Sequence, residues 1–172
     1  MQSLVDSLGR RFPYLRLSLT EACNFRCSYC LPNGYQAEGS TQFLHLDEVR
    51  RLVRAFAALG MHKIRLTGGE PSLRKDLSAV IQAVASVDGI RTVAMTTNGV
   101  SLQRKVAEWR AAGLTALNVS VDSLDPAIFH AITGHDRLPE ILAGVESIAH
   151  LLFKPFGFDQ LTAMLSRALG IG

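Results

Sequence analysis

The chain contains no cysteine beyond residue 30, no run of about 18 apolar residues and no low-complexity tract. Each absence excludes something. Without a long apolar run no transmembrane helix is expected. The first eleven residues carry Asp6, Arg10 and Arg11 and lack the apolar centre of a signal peptide, which predicts a cytoplasmic protein with no membrane partner. Acidic excess is also missing: 18 Lys plus Arg stand against 15 Asp plus Glu, a net charge of only +3. Fourteen of those cations are arginine, and they are scattered rather than clustered. No nucleic-acid stripe is predicted; arginine used this way suits phosphate or carboxylate groups on a small ligand. The 172 residues suffice for one domain, and 48% hydrophobic content is globular composition.

What is present begins with a recurring unit of short strand and amphipathic helix. Strands are expected at Tyr14–Thr20, Lys63–Thr67, Arg91–Thr97 and Ala116–Val121. Helices are expected at Leu46–Leu59, Asp76–Val87, Leu102–Ala112 and Leu138–His150, with Gly60 and Gly113 closing the first and third. Asp125-Pro126 reads as a cap followed by a first-turn proline. Such alternation means a parallel sheet with crossover helices.

The strands carry a second message. Leu15, Leu17 and Leu19 alternate with Arg16, Ser18 and Thr20; Ile64 and Leu66 alternate with Lys63, Arg65 and Thr67. The third and fourth strands alternate likewise, Met95 against Thr96 and Val119 against Asn118 and Ser120. A doubly wound sheet, covered on both faces, would show nearly continuous apolar strands. The expected fold is therefore α/β, a partial (βα) barrel of four to five units with its polar strand face inward. Four units leave an unpaired edge unless another strand, a second copy or a partner chain covers it.

All three cysteines fall in one loop after the first strand: Cys23-Asn24-Phe25-Arg26-Cys27-Ser28-Tyr29-Cys30. Three thiolates on one short loop suit an iron–sulfur cluster, with the fourth iron left open to an exogenous ligand. The alternative is a Cys₃His zinc knot using His45 or His62. At the end of the second strand stands Thr67-Gly68-Gly69-Glu70-Pro71. There Gly-Gly lets a ligand approach the backbone, and Glu70 can accept from an ammonium group. A plain strand-to-helix turn has the same composition.

Together these motifs resemble the radical S-adenosylmethionine (SAM) superfamily and, within it, the GTP 3′,8-cyclases of molybdenum cofactor biosynthesis, a family of lyases. The similarity continues through Tyr14–Thr20, Arg65–Pro71, Thr96-Thr97-Asn98-Gly99, Asn118–Ser123 and Ala131-Ile132-Thr133-Gly134. The resemblance implies a [4Fe–4S] cluster on Cys23, Cys27 and Cys30. It implies SAM contacts at Tyr29, Gly69 and Ser120, with Gly68 and Glu70 in the same motif. Arg16, Arg65 and Thr96 match contacts to GTP. The reaction implied is reductive cleavage of SAM, starting cyclisation of GTP. The resembled family carries a second cysteine triplet that has no counterpart after Cys30, so the second reading is a remnant that binds cluster and SAM without cyclising GTP. Domain organisation is read as residues 1–150, the partial barrel, followed by 151–172. That tail resembles the closing strand and helix of a response-regulator receiver domain and is expected to supply a fifth unit.

Overall fold

The computed structural model describes residues 4–37 and 43–151. The elements run β1 (Tyr14–Ser18), α1 (Leu46–Ala58), β2 (Lys63–Thr67), α2 (Leu77–Ala85), β3 (Thr92–Thr97), α3 (Leu102–Ala111), β4 (Ala116–Val119), α4 (Pro126–Thr133) and α5 (Leu138–Leu151). All four strands are parallel and lie in sequence order, β1-β2-β3-β4. A doubly wound sheet reverses its strand order at a switch point. This sheet does not reverse, which is the order of a barrel wall. The fifth unit expected after residue 151 lies outside the described residues. Among those described, no helix is long and apolar enough to cross a membrane.

Alternation decides which face is covered. Leu17, Ile64, Leu66, Val93 and Met95 point to one side, where they meet Val49 and Val53 of α1, Val80, Ile81 and Val84 of α2, and Val106 and Trp109 of α3. Each of these is buried, and Val145 and Ile148 of α5 pack against them. At about 1.5–3 kcal/mol per large apolar side chain, this layer drives folding.

Local chemistry sets the ends. The Glu48 carboxylate accepts from His45 N (2.7 Å), closing the first turn of α1. Asp125 Oδ1 accepts from Ala127 N and Ile128 N, both at 2.9 Å, and caps α4 as expected. Gly134 closes the same helix with φ +72°, the left-handed conformation glycine adopts without strain. β1 and β4 are each two residues shorter than the alternation suggests, ending at Ser18 and Val119. Their hydrogen bonds nevertheless continue beyond the regular ladder, Leu19 N to Thr67 O (2.8 Å) and Ser120 N to Thr97 O (2.9 Å).

A smaller apolar cluster was not expected. Phe25, from within the cysteine loop, is buried with Val100, Phe129, Leu138 and Ile141, and Cys23 and Cys27 pack against it.

Candidate metal centre and ligand face

The cysteine loop and the Gly-Gly loop leave the C-terminal ends of neighbouring strands, and they are stitched together. Gly69 N donates to Thr20 O and Glu70 N to Ala22 O, both at 2.7 Å. A side chain at Gly68 would stand 3.0 Å from Thr20 N and against Thr20 O; one at Gly69 would meet the backbone of Glu21 and Ala22. The glycines therefore admit the cysteine loop. Any ligand must approach the other side of their backbone.

Glu70 is 1% exposed. Its Oε1 accepts from Ser72 N (2.9 Å) and Thr97 Oγ1 (2.7 Å), and its Oε2 from Asn98 N (2.7 Å). The carboxylate thus clips the end of β2 to the end of β3 and caps the short 3-10 turn Pro71–Leu73. Asn98 Nδ2 reaches on to Asn24 Oδ1 in the cysteine loop (2.8 Å). Thr97, Asn98 and Asn24 had no role in the reading of the sequence, because side-chain bonds between distant loops leave no local pattern.

The three cysteines are free thiols; Cys23 and Cys27 are half-buried and Cys30 is exposed. Cys30 N and Leu31 N both donate to Cys27 O (2.9 and 3.0 Å), a turn that closes the end of the loop. Burial raises the Cys23 thiol above its ordinary value, and the charges of Glu70 and Cys30 add to the rise. Burial likewise raises Cys27, with Asp122 next in weight. Metal binding must therefore displace protons from these sulfurs.

Tyr29 extends from the same loop to the end of β4, where its hydroxyl donates to Asp122, 3.1 Å from both oxygens. Desolvation of the hydroxyl and the Asp122 carboxylate push the phenol up to about 12. Asp122, like Thr97, Asn98 and Asn24, has no role predicted from the sequence. Ser120, exposed, follows β4 on the same rim.

Below the rim lies the polar face. Arg16 stands directly across from Arg65 in the β1–β2 register. Arg65 Nη1 donates to Thr96 Oγ1 (3.3 Å), and its guanidinium lies 5.8 Å from the centre of the Tyr14 ring. Its Nε is buried with no hydrogen-bond partner. Neither arginine forms an ion pair among the described residues. Two cations side by side on adjacent strands repel one another, and a buried N–H without an acceptor costs about 1–3 kcal/mol. An anionic ligand on this face would offset the repulsion between the two cations.

A protein-family model described as the radical SAM superfamily matches residues 17–165. The chain belongs to that superfamily. Its cofactors are a [4Fe–4S] cluster and SAM. GTP 3′,8-cyclase of Stenotrophomonas maltophilia (strain K279a) is 64% identical over 169 residues, covering 98% of this chain and 51% of the relative. The enzyme of the same name from Yersinia pestis is 57% identical over 161 residues, covering 94% and 48%. The chain spans about half the length of these curated relatives. Among solved structures, Streptococcus suis SuiB bound to S-adenosylmethionine superposes with a TM-score of 0.69 at 15% identity, over 90% of this chain and 37% of that one. At that identity the likeness shows the fold.

The residues present fit an iron–sulfur cluster. Among those described, no three His, Cys, Asp or Glu side chains gather tightly enough to hold a single ion. A zinc ion draws every ligand to about 2.0–2.3 Å. His62 precedes β2, at the opposite end of the sheet from the cysteines, and its backbone N–H bonds Pro13 O (3.0 Å). A cluster takes each thiolate on a different iron and spreads them further apart, and an all-sulfur donor set is its ordinary ligation.

Proposed function

We propose that this chain performs the cluster- and SAM-dependent chemistry of a GTP 3′,8-cyclase, opening GTP cyclisation for molybdenum cofactor synthesis. One observation supports this most: the cysteine loop stands on the rim of a polar strand face whose two adjacent arginines include a buried, unpartnered N–H.

In this reading Cys23, Cys27 and Cys30 hold three irons. When bound, the cluster and SAM supply reductive cleavage of a sulfonium, the source of the hydrogen-abstracting radical. The protein's own part is placement. Tyr29 and Ser120 line the rim beside SAM, and Gly68 and Gly69 offer it their free backbone side. Glu70 keeps that loop in shape through its three accepted hydrogen bonds. Arg16 and Arg65 take the triphosphate or a purine edge, and Thr96 fixes the orientation of Arg65. Nothing observed favours the remnant reading over this one.

The test is anaerobic reconstitution with iron and sulfide, followed by electron paramagnetic resonance of the reduced protein. A four-iron signal that shifts on adding SAM, together with GTP binding lost in Arg16→Ala, is the expected result. A cluster blind to SAM, or none, overturns the reading. A SAM-responsive cluster without GTP binding confines it to cluster and SAM.

A further inference from the structure

The cysteine loop is held from a direction that none of these roles uses. Between Cys23 and Cys30 the backbone makes few bonds to itself. Instead Arg26 N donates to Thr133 O (3.2 Å) and Ser28 N to Ile132 O (2.9 Å). Those carbonyls belong to the last turn of α4, where helix geometry leaves C=O groups without partners. Loop and helix end therefore satisfy each other. Phe25 meets Phe129 edge-on at 5.9 Å and stacks on His135 at 5.5 Å with 20° between the rings. Arg26 lies across Gly134: a side chain there would fall 2.6 Å from Arg26 Cγ and against Nε. The cation also sits at the negative end of the helix dipole.

We propose that the C-terminal turn of α4 is a positioning element for the cysteine loop, with Gly134 acting through Arg26 and His135 acting through Phe25. This rests on the reading of the loop as the cluster site. Neither residue touches a thiol in that role; each fixes the backbone from which the thiols project. The shape of the loop is then set before iron arrives, so less ordering is left for the metal to impose.

The experiment uses the full chain with Gly134→Ala, Gly134→Ala/Arg26→Ala, His135→Ala and His135→Phe. Two quantities are read: alkylation rates of the three cysteines in the metal-free protein by mass spectrometry, and iron retained against a chelator after reconstitution. Gly134→Ala is expected to speed alkylation of Cys23 and Cys27 relative to Cys30, and to cut iron retention on the order of tenfold. Removing the Arg26 side chain as well should recover part of that loss. His135→Ala should move both readouts in the same direction by less, and His135→Phe, which keeps a ring on Phe25, should restore them. Unchanged alkylation and iron in Gly134→Ala and His135→Ala overturn the proposal. So does a uniform rise at all three cysteines with a lowered melting temperature and no rescue, which marks a structural role only. If the unaltered chain takes up no iron, the cluster reading fails instead, and the alkylation pattern still decides the positioning claim.

Discussion

Ile64 and Arg65 are neighbours on β2, yet they face opposite sides of the sheet and different energetic conditions. Ile64 is fully buried among helices that complete its packing. Arg65 faces the polar side with one N–H buried and unpartnered and another cation directly across in register. The helix-covered face needs nothing further from solution. The other has donors and charge in excess, and that excess is the basis for proposing it as the ligand side. In the proposed function, folding and binding are thus divided by the two-residue period of the strand.

The division breaks most visibly at Ile64. Truncation to Ala leaves a cavity beneath α1 and α2, and a loss of about 2–5 kcal/mol is expected in urea denaturation. Next in size, and opposite in kind, is Arg65→Met. It removes a buried unsatisfied donor and a like-charge contact, so stability should stay within about 0.5 kcal/mol of the unaltered chain. GTP affinity, read by fluorescence anisotropy, should fall at least about tenfold, the effect of about 1.4 kcal/mol. A clear loss of stability in Arg65→Met would mean that the polar face is part of the core, and the contrast would collapse.

The same contrast explains what was legible in the sequence. Strand periodicity separated the faces correctly, and Gly60, Gly113 and the Asp125 cap marked helix ends through local chemistry. The same alternation puts Arg16, Arg65 and Thr96 on the polar face, where Arg16 pairs in register with Arg65 and Arg65 bonds Thr96. What escaped was long-range. Glu70 suggested an ammonium partner, but it spends its oxygens on Ser72, Thr97 and Asn98. The glycine pair suggested room for a ligand, and on the side where a Cβ would project that room is taken by Thr20, Glu21 and Ala22. Phe25 stood in a loop by sequence and lies in a core by structure. Pattern reports on a residue's own backbone and its near neighbours, whereas these contacts join strand ends that only the folded sheet brings together.

The smallest effect lies on the outer skin of the covered face, where Glu140 of α5 bonds Arg104 of α3 (2.7 Å) and Arg137 (2.9 Å). The hydrogen bond from Arg104, helped by Arg137, holds the Glu140 carboxyl below its ordinary value. Between that depressed value and the unfolded one, about 4.3, the unfolded chain binds more protons than the native chain. The pair's contribution is therefore present above the unfolded value and disappears as pH falls through the native one. Both arginines are more than half exposed, so screening keeps the stabilisation to about 0.2–1 kcal/mol. Glu140→Gln should lose that much at pH 7 and less of it at pH 3, and the pH 7 difference should shrink in high salt. Urea melts of both proteins at the two pH values check it. An equal deficit at pH 3 would locate the effect in α3–α5 packing rather than in charge, and the covered face would then be complete without its ion pairs.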